Sequence, residues 1–428
     1  MSEVKLGDIS FITKLAGFEH TKYIQGNNTH EKISEDDVPL FIGKTVQNGK
    51  IDKNFDWYIP KELSNQLERS KLNKKCLVLP YVGSVGDLAI FDASYDAHLG
   101  SNIAKIELAE NCGYSEEFIY YFLKSDYGQK ILLRDIQGAI QKNITMKAIR
   151  EVSLPDISIQ EQNNIVSILK GLDDKIQINN QINQELEAMA KTLYDYWFVQ
   201  FDFPDQNGNP YRSSGGKMVY NPELKREIPE GWGVETLRDF ESKIITGKTP
   251  SRANSDNFGG EIPFITIGDI RGNTFIYSTS ESLTDLGASV QQNKYLPKGS
   301  LCVSCIATVG EIGFTTEWSH TNQQINSIVF EDKTHRYYLY FALKNYFENA
   351  KASAKTGNTF ANMNKEDFSG IRIILSSKEI KNYFHEISEP YFAQIKCLQG
   401  QNQELTQFRD WLLPMLMNGQ VKMEDFTI

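Results

Sequence analysis

Apolar residues recur at alternating intervals of four and three between residues 160 and 201, and no proline or glycine interrupts this stretch after Gly171. Such spacing places the side chains on one narrow stripe of a helix, as in a coiled coil. We therefore predict one long helix over Gln160–Phe201, about 60 Å long at about 1.5 Å per residue. The predicted stripe consists of Ile168, Leu172, Lys175, Asn179, Ile182, Leu186, Met189, Leu193 and Tyr196.

The same stripe occurs a second time, 219 residues further along the chain, where Asn-Gln-Glu-Leu of 183–186 returns at 402–405. Two long helices with one repeat frame predict a pair that packs together within the chain. The alternative is two separate amphipathic helices, each lying on its own domain. The second predicted stripe consists of Ile387, Tyr391, Gln394, Leu398, Gln401, Leu405, Phe408, Leu412 and Met415.

The repeat extends backwards from the helices into the preceding residues, with offsets that drift from 219 to 224 as small loop insertions would require. We therefore predict a tandem duplication of a mixed α/β (α+β) domain followed by a long helix, the two helices forming an antiparallel coiled coil. The matching segments are Leu77–Leu88 with Leu301–Ile312, His98–Ile103 with His320–Ile325, and Tyr120–Lys124 with Tyr340–Lys344. The predicted boundaries are domain 1–155, helix 156–201, linker 202–230, domain 231–375, helix 376–416 and tail 417–428.

Within each predicted domain, short apolar runs alternate with segments of helical periodicity. Matching elements are expected in the two copies. The predicted strands are Lys75–Leu79, Ile103–Leu108, Val152–Pro155, Ser300–Ile306, Ile325–Phe330 and Ile371–Leu375. The predicted helices are Phe118–Leu133 and Tyr337–Ala354.

Length and composition are those of a globular protein with two or three domains, since the chain has 428 residues and is 40% hydrophobic. No apolar run reaches the roughly 18 residues of a membrane span, and the first residues lack the apolar core of a signal peptide. The five cysteines are odd in number and have no framework spacing. These features predict a cytoplasmic protein.

The net charge of −10 argues against nucleic acid as a partner. However, residues 156–230 alone carry 7 Lys and Arg against 12 Asp and Glu, which is half of the net charge. The two predicted domains are close to neutral and can hold a local basic face. Charge therefore permits DNA binding without predicting it.

Two motifs resemble catalytic signatures. Pro204-Asp205 and Glu223-x-Lys225 fit the acidic-lysine pattern of many nucleases, but both lie in a turn-rich linker, whereas metal-binding carboxylates converge from ordered elements. Asn209-Pro-Tyr211 lacks one proline of an amino-methyltransferase motif, and no glycine-rich nucleotide loop follows a strand. We interpret both as chance matches and predict no catalytic residue.

Cysteine and histidine positions favour structural roles. Cys302 and Cys305 have redox or zinc spacing, but they lie in an apolar run without a second cysteine pair. His98 and His320 are equivalent by the repeat, and no carboxylate or cysteine cluster accompanies either of them. We predict no metal site.

Polar and basic loops occur at matching places in the two copies, and Gln, Asn and Arg are the side chains that can contact base edges bidentately. Taken singly, each loop is better explained as solvated surface, and only the occurrence of such loops at matching places in both copies favours a function. The candidate DNA-contacting residues of the first copy are Lys44, Gln47, Asn48, Ser84, Gln141, Lys142 and Asn143. Those of the second copy are Lys248, Thr249, Ser251, Arg252, Arg271, Asn273, Thr308, Asn358, Thr359 and Asn362.

In their order and spacing, several motifs resemble the specificity subunits of type I restriction-modification systems, over essentially the whole chain. The similarity lies in Ile159-Gln-Glu-Gln, Trp197-Phe-Val-Gln-Phe-Asp-Phe-Pro204, Ser214-Gly-Gly-Lys-Met218, Ile228-Pro-Glu-Gly-Trp232, Gly247-Lys-Thr-Pro-Ser-Arg252, Ile265-x-Ile-Gly-Asp-Ile270 and Leu412-Leu-Pro-Met-Leu-Met-Asn-Gly-Gln-Val421. The copies depart from each other, because Ser376-Ser-Lys-Glu-Ile380 replaces the first Gln-Glu-Gln, and Lys14–His20 lacks Gly-Lys-Thr-Pro-Ser-Arg.

The resemblance implies that each domain is a target-recognition domain and that the helices are spacers between two half-sites on double-stranded DNA. It also implies a subunit that is not itself an enzyme and binds no cofactor. Two methyltransferase subunits would use S-adenosylmethionine, and the restriction and translocase subunits would use ATP and Mg. Trp197, Phe198, Trp411 and Leu412 are the expected partner-binding residues. The alternative is a coiled-coil interaction scaffold without nucleic-acid recognition.

Overall fold

In the computed structural model, residues 4–47, 49–83, 85–134, 143–354 and 362–417 are described. The chain forms two compact units. The first unit consists of Met1–Asp174 with Thr406–Ile428, and the second consists of Lys175–Leu405. Each unit therefore contains one globular part and a segment of each long helix.

The globular part of the first unit contains two four-stranded sheets. One is antiparallel throughout, in the order Ser10–Lys14, Ile103–Leu108, Cys76–Pro80, Ala89–Phe91. The other has the order Tyr58–Ile59, Val38–Phe41, Ala97–Leu99, Lys71–Leu72, and its two central strands are parallel. The two-stranded pairs are Val4–Lys5 with Ser153–Leu154 and Val46–Gln47 with Lys50–Ile51.

The second unit repeats this plan with changes at the sheet edges. Its larger sheet has the order Ile244–Thr246, Ile325–Ile328, Leu301–Ser304, Ile312–Thr315, Phe275–Ile276, and the last strand is parallel to its neighbour. Its smaller sheet has the order Glu281–Leu283, Phe258–Ile265, His320–Thr321, and again a parallel pair includes the histidine strand. The two-stranded pairs are Met218–Asn221 with Arg226–Pro229 and Gly233–Thr236 with Arg372–Leu375.

Helices pack on the antiparallel sheet of the first unit and on the five-stranded sheet of the second. In the first unit the predicted helix Phe118–Leu133 is divided into Glu116–Lys124 and Asp126–Leu132, because Ser125 ends one helix and caps the next. Its hydroxyl donates to Phe122 O at 2.7 Å and accepts from Gly128 N at 3.0 Å. In the second unit Arg336–Ala354 is continuous, as predicted. The further helical segments are Leu6–Ile9, Gly17–Glu19, His20–Ile24, Gly43–Thr45, Lys61–Gln66, Glu68–Ser70, Met146–Arg150, Leu237–Phe240, Ser255–Asn257, Ile267–Ile270, Asp285–Ser289, Gln292–Lys294, Lys333–His335 and Lys365–Ser369.

The long helices are confirmed, over Ile159–Tyr194 and Lys378–Met417. A π-helical turn, Asp195–Val199, follows the first. In the second unit they run antiparallel: Asn179 Nδ2 donates to Asn402 Oδ1 at 2.8 Å, whereas Tyr194, later in its helix, packs against Phe384, earlier in the other. In the first unit, Arg409 Nη1 donates to Asp173 Oδ1 at 2.6 Å.

Three of the nine residues predicted for the first helix stripe were wrong by one residue. Ile182, Met189 and Tyr196 are 36%, 52% and 38% exposed, whereas Asn183 and Ala190 beside them are buried. In the second helix the buried Ile395 replaces the predicted Gln394 in the same way. The buried residues Asn183 and Ala190 are less apolar than the exposed Ile182 and Met189. The pattern of large apolar residues therefore indicated the exposed positions instead of the buried ones. The predicted Leu172, Leu186 and Leu193 do face the interior, half-buried.

Each globular part is attached to the long helices by a carboxylate. In the first unit Tyr121 Oη donates to Asp173 Oδ2 at 2.8 Å. In the second, Glu187 accepts from Tyr340 Oη at 2.7 Å and from the Lys344 ammonium. Burial and the Asp173 carboxylate raise the pKa of Tyr121, and burial and Glu187 raise that of Tyr340. Both phenols therefore stay protonated and act as donors at neutral pH.

Residues 202–230, predicted as a breaker-rich linker, are ordered in the second unit. Phe203 stacks between Tyr211 and Trp232, with ring centroids 4.7 and 4.8 Å away. The Asp202 carboxylate accepts from the Ser213 backbone at 2.7 Å. These contacts explain why a turn-rich sequence has a single compact path here. No helix in the described ranges combines the length and apolar character needed to cross a bilayer.

Candidate nucleic-acid interface

The Gly247–Lys248 loop of the second unit lies directly against the loop after the His320–Thr321 strand. Lys248 N donates to Thr321 O at 3.0 Å, and a Cβ on Gly247 would lie 2.2 Å from Asn322 O. Only glycine therefore allows this close approach. The Lys248 side chain is exposed, and its ammonium forms no ion pair within the described residues. It is available to a phosphate.

Two further loops join the same surface. Thr249 Oγ1 donates to Gln323 Oε1 at 2.5 Å, which extends the contact between the first two loops. Cys305 N donates to Gln324 O at 2.8 Å, and Met363 N donates to Cys305 O at 2.8 Å. The loops near residues 248, 305, 322 and 362 are therefore one connected cluster, which we call the second loop cluster.

Three predicted residues meet at the edge of this cluster. Asn362 Oδ1 accepts from Ala307 N at 3.2 Å, and Arg271 Nη2 donates to Thr308 Oγ1 at 3.1 Å. Ala307 has a φ of 63°, a left-handed conformation that is uncommon for a residue other than glycine. Glu311 lies 3.9 Å from Arg271 Nε and compensates part of its charge. Arg271 remains 61% exposed at its side chain and keeps donors free for a ligand.

Other predicted residues of the second copy have different local partners. Arg252 forms a bidentate pair with Glu281 at 3.1 and 2.8 Å and lies over the Phe258 ring at 5.1 Å. The hydrogen bonds that Arg252 donates to the Glu281 carboxylate raise the pKa of Arg252. Ser251 accepts from Asn257 Nδ2 at 2.9 Å through its carbonyl, and Asn273 Nδ2 donates to Asp269 O at 3.1 Å. A phosphate would have to compete with Glu281 for Arg252.

The first unit contains the same framework, which we call the first loop cluster. Tyr81 N donates to Asn102 O at 3.1 Å, and Ile144 N donates to Tyr81 O at 2.9 Å. These bonds are the repeat equivalents of Cys305 with Gln324 and of Met363 with Cys305. Gly43 N donates to Ser101 O at 3.1 Å and brings a third loop to this place.

Predicted residues of the first copy lie around this framework. Lys44 forms an ion pair with Asp56, and its carbonyl accepts from Gln47 Nε2 at 2.9 Å. Asn143 pairs with Val82 in an isolated β-bridge. Asn48, Ser84, Gln141, Lys142, Asn358 and Thr359 lie outside the described residues. That the predicted residues contact DNA stays a prediction.

Sequence reasoning missed two residues of these clusters. Gln323 is exposed beside Thr249, and its signal was the polar Asn-Gln-Gln run between two buried strands. Lys14 Nζ lies 4.4 Å from the centroid of the Tyr81 ring, at the centre of the first loop cluster. In the sequence, Lys14 is notable only because Gly-Lys-Thr-Pro-Ser-Arg is missing at this place.

Cys302, Cys305, His98 and His320, which the sequence singled out, are buried in the cores. Burial raises the pKa of Cys302 to about 12 and that of Cys305 to about 11, so both are thiols at neutral pH. Burial lowers the pKa of His320 to about 4, and its ring stacks on Tyr295 at 4.8 Å. Within the described ranges, no group of three His, Cys, Asp or Glu side chains is placed to hold a metal ion.

The acidic residues of the nuclease-like motif have separate partners. Asp205 Oδ1 accepts from the backbone of Asn207 and Asn209 at 2.8 and 2.9 Å and closes its own turn. Glu223 instead pairs with Arg372 at 3.2 Å. The role of each carboxylate in the fold is therefore explained by local contacts.

The four predicted partner-binding residues differ in accessibility. Trp197, Phe198 and Leu412 are buried inside their own units, where Trp197 packs on Phe384 with centroids 6.0 Å apart. Trp411 is 57% exposed. Contact with a partner subunit stays a prediction for all four, and Trp411 offers the most surface for it.

The repeated domains, the antiparallel helices and the two loop clusters define a class of two-domain proteins in which one loop framework occurs twice. Residues 2–188 and 229–407 match the family described as type I restriction modification DNA specificity domain. The chain belongs to this family.

The chain is also similar to individual proteins that are named as specificity subunits. The chain is 33% identical over 357 residues to the type I restriction enzyme HindI specificity subunit of Haemophilus influenzae, covering 71% of this chain and 77% of the relative. It is 26% identical over 418 residues to the MjaIX specificity subunit of Methanocaldococcus jannaschii, covering 91% and 93%. A solved S subunit from M. genitalium is 16% identical and covers 97% and 95%, with a TM-score of 0.47.

Proposed function

We propose that this chain is the DNA specificity subunit of a type I restriction-modification complex. Its two domains read the two halves of a bipartite target, and the chain recruits adenine-N6 methyltransferase subunits and restriction subunits. The observation that carries the proposal is the match of both globular parts and most of both long helices to the DNA specificity family. The same match disfavours a coiled-coil scaffold without nucleic-acid recognition.

The loop clusters supply the chemistry for reading DNA. Each cluster presents polar side chains on a framework of backbone hydrogen bonds, so that the loops are held before DNA arrives. Lys248 and Arg271 are suited to phosphates or guanine edges, and Gln323 to an adenine edge. Different side chains on one repeated framework would let the two domains read different half-sites.

The partner subunits would carry the reaction. We propose that the chain itself is not catalytic and holds no cofactor, whereas two methyltransferase subunits use S-adenosylmethionine, and the restriction subunits use ATP and Mg. The long helices would act as the spacer between half-sites. Shortening both by two turns is expected to abolish methylation of the natural site.

Lys248→Ala, assembled with methyltransferase subunits, tests the loop cluster. Because Lys248 has no ion pair within the described residues, its removal leaves the fold intact. We expect target-DNA affinity to fall about tenfold, with a shallower salt dependence. Lys351→Ala, an exposed lysine of the helix Arg336–Ala354, is the control and should change affinity less than about twofold. The proposal would be contradicted if each variant bound target DNA and unrelated DNA with the same affinity.

A further inference from the structure

A cavity of about 710 Å³ lies in the second unit, outside the second loop cluster. Its apolar lining comes from Phe275, Phe314, Tyr337 and Phe392. Its volume is within the range of small-molecule sites, which are mostly apolar with a few polar groups that fix orientation. The proposed DNA contacts use none of these residues, so the cavity needs its own explanation.

The cationic groups around the cavity exceed the acidic ones. Lys333 and Lys396 form no ion pair within the described residues, and Lys298 pairs with Glu317 at 3.3 Å. The single lining carboxylate, Glu389, already accepts from Tyr337 Oη at 2.6 Å. Lys333, Lys396 and Arg336 stand against this one carboxylate, so the lining of the cavity has an excess of positive charge.

Arg336 is held at the wall of the cavity with a donor unused. Its Nε is enclosed and has no hydrogen-bond partner within the described part of the chain. Its guanidinium lies against Gly299, where a Cβ would come 2.6 Å from Nη2. Gly299 has a φ of 83° and lacks a side chain, so it permits both the turn and the placement of the arginine. An enclosed, unpaired guanidinium donor is costly unless an acceptor meets it.

We propose that this cavity binds a small planar molecule that carries a phosphate group. The apolar lining would take the ring, and Arg336 with Lys333 and Lys396 would take the phosphate, for which guanidinium and ammonium groups are suited. The proposal is independent of DNA recognition by the loop clusters. The ligand would bind where the second globular part meets the second long helix.

Cys397 provides a reporter at the cavity. It lines the cavity and is exposed, whereas Cys76, Cys302 and Cys305 are buried. In the full-length protein we expect AMP to slow the alkylation of Cys397 saturably, as measured by peptide mass spectrometry. Adenosine and inorganic phosphate, each lacking half of the recognised chemistry, should protect at least about tenfold more weakly.

The variant Lys333→Gln/Lys396→Gln should weaken AMP binding about tenfold, by calorimetry and by protection of Cys397. Lys351→Gln, about four turns along the same helix as Arg336, is the matched control and should bind AMP normally. Thermal melting of both variants checks that they are folded. No protection at about 10 mM AMP would overturn the proposal. So would protection by a DNA duplex without any by AMP, since the site would then contact the DNA backbone.

Discussion

The two units attach their globular parts to the long helices with the same chemistry but from different positions. In the first, Asp173 accepts from Tyr121 at 2.8 Å and from Arg409 at 2.6 Å, and Arg409 belongs to the second long helix. In the second, Glu187 accepts from Tyr340 at 2.7 Å and from Lys344, both on the helix of the globular part.

The repeat partner of Tyr121 is Phe341, and the repeat partner of Tyr340 is Tyr120, which donates to Gly49 O at 3.5 Å instead. The two tyrosine–carboxylate hydrogen bonds therefore lie at positions that are not equivalent in the repeat. By contrast, the backbone bonds of the loop clusters match between the copies. The duplication keeps the backbone framework, while the polar side chains on it have changed.

The largest expected effect comes from removing a buried ring or leucine from one unit only. Phe392 is fully buried, and its ring stacks on Tyr337 at 4.0 Å, so Phe392→Ala should destabilise the second unit by about 3–5 kcal/mol. Leu412→Ala should destabilise the first unit by about 2–5 kcal/mol. Hydrogen exchange in urea assigns each loss to its unit. Exposed Trp411→Ala is the control, and equal losses in both units for either core variant would contradict the division.

Next in size are the carboxylate links. Asp173→Asn and Glu187→Gln should each cost about 1.5–3 kcal/mol, because each removes charge-assisted hydrogen bonds from partly buried donors. We expect Asp173→Asn to loosen the helix pair near Arg409, whereas Glu187→Gln loosens Arg336–Ala354. Hydrogen exchange of these segments distinguishes the two. The same segment responding to both variants would show that the links are equivalent.

Asn183 and Asn402 are equivalent by the repeat, and replacing each by leucine should change the free energy of unfolding in opposite directions. Asn402 forms hydrogen bonds with Asn179 and Asn180, at 2.8 Å each. Asn402→Leu leaves the buried Asn179 amide without this acceptor and should cost about 1–2 kcal/mol. Asn183 is 7% exposed, and neither amide atom has a partner within the described residues. Asn183→Leu should therefore stabilise the second unit by about 1 kcal/mol. Chemical unfolding measures both, and a loss of stability in Asn183→Leu would indicate a hidden partner.

At neutral pH the smallest effect concerns the two repeated histidines, because their contribution to stability changes only in acid. His320 has a pKa of about 4 and an enclosed Nδ1 without a described partner, whereas both ring nitrogens of His98 face carbonyls, at 2.9 and 3.3 Å. Because the unfolded chain binds a proton near pH 6.5 and folded His320 does not, stability should fall by about 1–3 kcal/mol from pH 6.5 to 4. His320→Gln should remove this part of the acid dependence of the second unit's melting temperature. An unchanged pH profile would contradict the assignment.

Much of this architecture was predictable because periodicity and repetition are local signals. The strand Ile103–Leu108 and the helix Arg336–Ala354 have nearly their predicted bounds. The packing of the two long helices was predictable because their apolar stripes have the same spacing, 219 residues apart. The order of strands in the sheets was not predictable, because it depends on pairs such as His98 with Leu40, far apart in the chain.

The candidate site was predictable only as a set of loops. Which polar residues meet depends on backbone bonds such as Cys305 with Gln324, which leave no periodic trace in the sequence. Arg252 looked free in the sequence, but Glu281, 29 residues away, holds it. The helix stripe was displaced for a related reason, since buried Asn183 and Ala190 are less apolar than exposed Ile182 and Met189.

The central claim is that two different loop clusters on one repeated framework each read one half of a DNA target. Methylome sequencing of cells that contain the methyltransferase partner tests it most directly, with the natural chain and with residues 231–375 replaced by the corresponding domain of a relative. We predict a bipartite methylated adenine motif in which the replacement changes one half and leaves the other half and the spacer unchanged. A motif that changes in both halves, or methylation that does not depend on the chain, would contradict the account.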